Sequence, residues 1–181
     1  FHFEGITPRL PTRTFERQHT LHVGSKRVEL IEVGPAHTRG DAMVFVPGDR
    51  TIFTGDILFI GGTPIVWAGP VQNWIDACRR IPELGCPVIV PGHGPLTDAA
   101  GVQAVADYLI YVTAEATARF QAGMRAEEAA RDIELGQYEN WLDWERIVIN
   151  VDSIYRELDP KHPRPDVMDL FRQMAELKQH K

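Results

Sequence analysis

From His19 onward the chain alternates polar and apolar positions in short runs. Thr20-Leu21-His22-Val23 and Val28 to Val33 flank a Gly24-Ser25 turn, the pattern of a β-hairpin. Ala42 to Val46 and Thr51 to Phe53 make two more apolar runs, separated by the turn residues Pro47-Gly48-Asp49. The period then changes. Val71, Trp74, Ile75, Cys78 and Ile81 recur at helical spacing. Pro70 suits the first helical position, where its missing N–H costs nothing, and Gly85 suits a stop. Pro87-Val88-Ile89-Val90-Pro91 is apolar throughout, which predicts a short strand buried on both faces.

Beyond Gly92-His93-Gly94-Pro95 the pattern is helical. Thr97 is placed to cap a helix reaching about Phe120, with Val102, Val105, Leu109, Val112 and Ala116 on one face. Shorter helices are expected around 125–134, 141–157 and 165–178. Residues 1–17 show no clear period and read as an irregular lead-in. The main domain is expected over 18–160, with 161–181 as a terminal helix and tail. Strands first, then strand-helix-strand, then helices make a mixed α/β class.

Composition narrows the function classes. With 181 residues, 44% of them hydrophobic, the chain can bury the core of one domain. A formal charge of -6 argues against nucleic acid as a partner, since such a surface must displace counterions with basic groups. No apolar run approaches the roughly 20 residues a membrane helix needs, and a cytoplasmic location is favoured. Cys78 sits on an apolar helical stripe and Cys86 beside an apolar strand, so both are expected as free, buried thiols. Phe1 is too large to follow a trimmed initiator methionine, and further residues are expected before it.

Three segments combine glycine with a histidine or aspartate, each expected where a strand gives way to a loop. They are Gly34 to Asp41 (Gly-Pro-Ala-His-Thr-Arg-Gly-Asp), Phe53-Thr54-Gly55-Asp56 and Pro91-Gly92-His93-Gly94. Glycine lets the backbone turn and present the side chain. Imidazole nitrogen and carboxylate oxygen are the donors that hold a hydrolytic zinc at about 2.0–2.2 Å. A lone histidine beside glycine is usually a loop residue; three such segments in this order, each after an apolar run, are a stronger signal.

In order and wording the segments resemble the metallo-β-lactamase superfamily, whose members carry H-T-x-G-D, F-T-G-D and P-G-H-G. The resemblance covers roughly residues 15–160. It implies that His37 and His93 each ligate one of two metals and that Asp56 bridges both, with Asp41 in a structural role behind His37. A bridging aspartate looks like the glyoxalase II and lactonase-like branches, which hydrolyse thioesters and lactones. The implied metal is zinc, two in an intact parent and none or one in this chain, with iron or manganese as alternatives. Two metals would activate a shared water for attack on the carbonyl of a small-molecule ester, thioester or lactone. Trp67, in the Gly61 to Gly69 loop, is a candidate pocket floor.

One departure stands out. The family's H-x-H-x-D-H segment is absent; His2 has no partner at that spacing, and His19 and His22 fall on opposite faces of a strand. The expected fold is therefore the carboxyl-terminal half of an αββα sandwich. It would have one mixed sheet, helices on its outer face, a helical tail and an uncovered inner face. Such a chain is expected to be inactive alone and to pair with the missing amino-terminal half or with a second copy. The rival readings are a non-catalytic scaffold that assembles through this face and a di-iron redox member of the same fold.

Overall fold

The structure is a computed structural model that describes residues 2–179; the reading of Phe1 lies outside them. Five strands form one sheet in the order β1 (Gln18–Val23), β2 (Lys26–Glu32), β3 (Ala42–Val46), β4 (Thr51–Phe59) and β5 (Val88–His93). The first three pairings are antiparallel hairpins, and β4 pairs with β5 in parallel. That parallel step needs a crossover, supplied by α1 (Val71–Glu83). Four helices follow: α2 (Ala99–Gln121), α3 (Ala126–Asp132), α4 (Ile147–Leu158) and α5 (Val167–Gln179). The expected α/β class holds, with a mixed sheet and helices against it. Among the described residues no helix is long and apolar enough to cross a membrane.

The helical stripes pack as their spacing predicts. Val71, Trp74, Ile75, Cys78 and Ile81 are all buried, as are Val102, Val105, Leu109, Val112 and Ala116. They meet the sheet face that carries Ile31, Met43, Ile52 and Ile89, with Ile31 beside Met43 and Ile52 beside Ile89 in register. α4 then clamps the loop after β4. Asn150 donates to the Pro64 carbonyl and to the Tyr108 hydroxyl and accepts from the Val66 N–H, while Ser153 donates to the Val66 carbonyl. Every polar group of buried Asn150 is thus satisfied, the condition under which burying an amide is tolerated. α5 closes over the same end through Leu170 and Leu177, both buried.

Four expectations about the elements are corrected. β4 runs to Phe59, six residues beyond the predicted end, so Thr54-Gly55-Asp56 lies inside a strand. Its pairing with β5 slips on either side of Gly55, whose φ of +53° only glycine adopts easily, and this keeps the strand going through the motif. β5 is an edge strand with Val88 exposed and only Ile89 buried among its residues, because among the described residues only a single bridge from Ile89 to Thr97 pairs on its far side. Asp98, not Thr97, caps α2. Its carboxylate accepts from the N–H groups of Ala100 and Gly101, while the Thr97 N–H is already used on Ile89 of β5. The helix expected from 141 starts at Ile147, after a one-turn 3-10 segment, Trp144–Arg146, that follows Asp143 in the left-handed region.

The second sheet face is apolar and uncovered. Leu21, Val28, Leu30, Val44, Phe53 and Val90 share it by register, with Val88 beside Thr51. Leu21, Val23, Phe53 and Val88 are exposed, and Val28, Leu30, Val44 and Val90 only half-buried.

Burial also separates the two thiols. Cys78 is buried and its thiol is pushed up to about 12 by desolvation, so at pH 8 it carries no reactive thiolate. Cys86 is free but only half-buried, which corrects the expectation of two buried thiols. A disulfide-exchange reagent at pH 8 is therefore expected to titrate one thiol in the native chain and both after denaturation. Fast reaction of both without denaturant would contradict this packing.

Candidate functional site

His37 sits in the loop joining β2 to β3. That loop is tied shut by the N–H groups of Val33 and Gly34, which both donate to the Asp41 carbonyl. The Asp41 carboxylate accepts from the Thr38 N–H (2.8 Å) and the Thr38 hydroxyl (2.6 Å). Asp41 thus shapes the turn that carries His37. The His37 ring is buried between Phe59 and Trp74, and its Nδ1 lies 2.6 Å from the Ile65 carbonyl. A carbonyl only accepts, so Nδ1 carries the proton that faces it, and Nε2 is the nitrogen turned toward Asp56. That Nε2 stands 3.5 Å from Asp56 Oδ2.

His93 is the last residue of β5 and stacks on Phe59, ring centroids 4.3 Å apart. Its Nε2 is 3.3 Å from Asp56 Oδ1. Asp56 therefore touches one histidine through each oxygen. The approach depends on Gly92, where a Cβ would lie 2.4 Å from Asp56 Oδ1 and 2.6 Å from the Gly55 carbonyl. His19 and His22 are on β1, across the sheet from this cluster.

In kind, two imidazoles and a carboxylate suit zinc or iron. The Nδ1–H of His37 on a backbone carbonyl is the support that metal-binding histidines have. Contacts of 3.3 and 3.5 Å also match neighbouring donors on one zinc, which lie about 3.3 Å apart at tetrahedral bond lengths of about 2.0 Å. In number the set falls short. The contacts form two pairs sharing Asp56, and among the described residues no group of three or more His, Cys, Asp or Glu is placed to hold a metal ion.

His37 and His93 line a cavity of about 370 Å³ that Trp67 also lines, and Asp56 lies outside its walls. Glu145, Arg146, Phe171 and Met174 complete much of the wall. The Arg146 guanidinium lies over the Phe59 ring, 5.7 Å from its centroid, and donates to the Thr63 carbonyl. Buried Glu145 accepts from Lys178 through Oε1, and its Oε2 has no hydrogen-bond partner among the described residues. No motif marked these four residues, since they come from turns and helices far along the chain. Tyr111 and Tyr155 pack against Tyr138 and Phe120, respectively.

The family model described as Metallo-beta-lactamase superfamily matches residues 2–93 of the 181, which include the first two motif segments and the third as far as His93. The chain belongs to the metallo-beta-lactamase superfamily. It is 30% identical over 95 residues to 2,4-dinitroanisole O-demethylase subunit alpha of Nocardioides sp., covering 50% of this chain and 27% of that protein. To a hydroxyacylglutathione hydrolase of Dictyostelium discoideum it is 29% identical over 85 residues, covering 44% and 30%. It thus spans under a third of the length of the curated relatives it matches. A metallo-beta-lactamase from Pontibacter korlensis superposes with a TM-score of 0.50 at 23% identity, over 55% of this chain and 49% of that one. A sec-alkylsulfatase from Pseudomonas sp. gives 0.64 at 13% identity, over 84% and 28%. These structural likenesses concern the fold, which is hydrolase-like within the metallo-beta-lactamase superfamily.

Gly92→Ala is expected to destabilise the chain by about 1–3 kcal/mol, the usual cost of forcing a methyl into filled space. It should also displace the Asp56 and His93 NMR resonances. Gly48→Ala, where a Cβ meets nothing within 4 Å, should stay within about 0.5 kcal/mol of the parent. Equal denaturation midpoints for the two variants would contradict the close approach.

Proposed function

We propose that this chain supplies His37, Asp56 and His93 to the two-metal centre of a larger hydrolase acting on ester, thioester or lactone carbonyls. The observation that carries the reading is the shared carboxylate, with one Asp56 oxygen on each histidine. This is how a bridging ligand between two metals would be presented. A relative named hydroxyacylglutathione hydrolase supports a carbonyl substrate, and the superfamily's common use of zinc supports the metal. Iron and manganese accept the same donors, so metal analysis is the discriminating measurement.

Zinc held there would supply a Lewis acid and an acidified water. The chain's own residues do the rest. The Ile65 carbonyl holds the His37 ring through Nδ1, so that Nε2 is the nitrogen presented toward Asp56. Asp56 adds negative charge between the two histidines. Trp67, Ile65 and Met174 give the cavity an apolar wall that takes the hydrocarbon part of a substrate and excludes water. The remaining donors would come from a segment of the H-x-H-x-D-H kind, which this sequence lacks.

The 181-residue chain alone is expected to show no chelator-sensitive turnover of esters, thioesters or lactones. Joined to or mixed with a segment supplying the missing donors, it should gain activity, and Asp56→Ala should then remove it by at least about 100-fold. Chelator-sensitive turnover by the chain alone, or a complete enzyme indifferent to Asp56→Ala, would overturn the reading.

The apolar sheet face supports an assembly role beside catalysis. Monomers rarely expose contiguous apolar patches beyond a few hundred Å², and this face runs across all five strands. We propose that the sheet of the complementary half covers it, with a second copy taking its place when that half is absent. Sedimentation at micromolar concentration should then give a mass above that of one chain. A soluble, well-folded monomer under those conditions would rule the assembly out.

A further inference from the structure

Beside the histidine cavity lies a second one, of about 220 Å³, lined by Thr38, Arg39, Trp67, Ala68, Arg156 and Arg164. Its three arginines come from separate places: the loop that carries His37, helix α4, and the connection from α4 to α5. Three guanidinium groups around one small cavity repel one another, and they stay charged at any accessible pH. The chain carries 25 acidic residues against 19 basic ones, so carboxylates are plentiful, yet none lines this cavity. Arg156 is partly neutralised from behind, its Nε on Asp152 Oδ2 at 2.9 Å and its Nη2 on Ser153 Oγ at 2.7 Å. Asp152 also faces His162. Those bonds orient the side chain and leave Nη1 unpartnered among the described residues. Arg39 and Arg164 are exposed and have no ion-pair partner among the described residues. Asp41, the other acid near this loop, is bonded to Thr38 and does not line the cavity.

Trp67 ties this cavity to the candidate centre. Its indole is a wall of both, and Phe171 holds it edge-on at 6.3 Å between ring centroids. A ligand lying along the indole would reach His37 and His93 at one end and the arginines at the other. We propose that the Arg39, Arg156 and Arg164 cavity binds an oxyanion, a carboxylate or a phosphate, at the end of the substrate remote from the carbonyl. This rests on the hydrolase reading for the word substrate. The anion site itself rests only on the arginines. Paired N–H donors of guanidinium match the oxygens of both anions, which is why the class is oxyanion and not halide.

Binding and turnover test it separately. The purified chain is titrated with inorganic phosphate and with succinate at constant ionic strength, chloride as the control, following the Trp67 indole resonance. Saturable shifts with both oxyanions or with either one are expected, and none with chloride. Arg39→Ala combined with Arg164→Ala should weaken them about 10- to 100-fold, as loss of charge-assisted hydrogen bonds does. Arg39→Lys combined with Arg164→Lys should retain part of the affinity. Arg79→Ala, on the outer surface of α1, should change nothing. In the completed enzyme the same double alanine variant should raise KM by a similar factor for a substrate with an acidic tail. It should leave kcat, and the KM of an uncharged ester, nearly unchanged. Absence of saturable binding, binding indifferent to the arginines, or an equal KM rise for both substrates would overturn the proposal. An enzyme that never turns over, in a chain whose anion binding still depends on the arginines, would sink the hydrolase reading and leave the anion site standing.

Discussion

The close approach of two backbones, at Gly55 in β4 and Gly92 in β5, is the constraint on which the candidate centre depends. The strands run parallel and in step from Thr51 and Val88 to Phe53 and Val90. Then β4 gains residues relative to β5, with Gly55 opposite Pro91 and Phe59 opposite His93. The extra length bulges at Asp56 and turns its carboxylate toward the end of β5, where His93 stands. A side chain at Gly92 would occupy the space of that carboxylate. The slip in register thus converts a regular pairing into a site, as bulges beside functional residues commonly do.

Around that point the structure is held by side chains bonding to backbone. Asn150 and Ser153 of α4 hold the 64–66 loop, Arg146 holds Thr63, and Glu157 accepts from the Val71 N–H at the start of α1. The Ile65 carbonyl, fixed in this way, in turn fixes the His37 ring. Each such bond contributes on the order of 1 kcal/mol net, yet losing one partner exposes a buried group to a larger penalty. The late helices are therefore not an appendage to the sheet. They set the geometry of a loop that the first half of the chain cannot position alone.

The two faces of the sheet have opposite fates. One meets α1 and α2 and forms the core; the other carries Leu21, Leu30, Val44 and Phe53 toward solvent. Alternation along a strand normally sorts apolar residues to one side. Strands apolar on both sides belong inside a layered fold, and here the described residues pack helices on one side only. Asp56 lies at the bulge inside β4 and His93 at the end of β5, both half exposed, with donors enough for two pairs and no closed cluster among the described residues.

Much of this was legible in the sequence. The hairpin turn at Gly24-Ser25, the buried stripe from Val71 to Ile81 and the long face from Val102 to Ala116 follow from local periodicity, which the core only had to accept. The three glycine-flanked motifs named His37, Asp56 and His93, and the structure brings these three together, while their role as ligands stays with the proposal. Other features depended on neighbours. Where β4 ends is decided by β5 beside it, and the capping residue of α2 by a Thr97 N–H already spent on Ile89. The exposure of β5 is decided by what lies outside it. Glu145, Arg146, Phe171 and, beside Trp67, Arg156 and Arg164 carry no local pattern at all. Periodicity reports which side of an element faces the core. Only packing decides which distant side chains share a cavity, because that depends on how elements separated by a hundred residues cross.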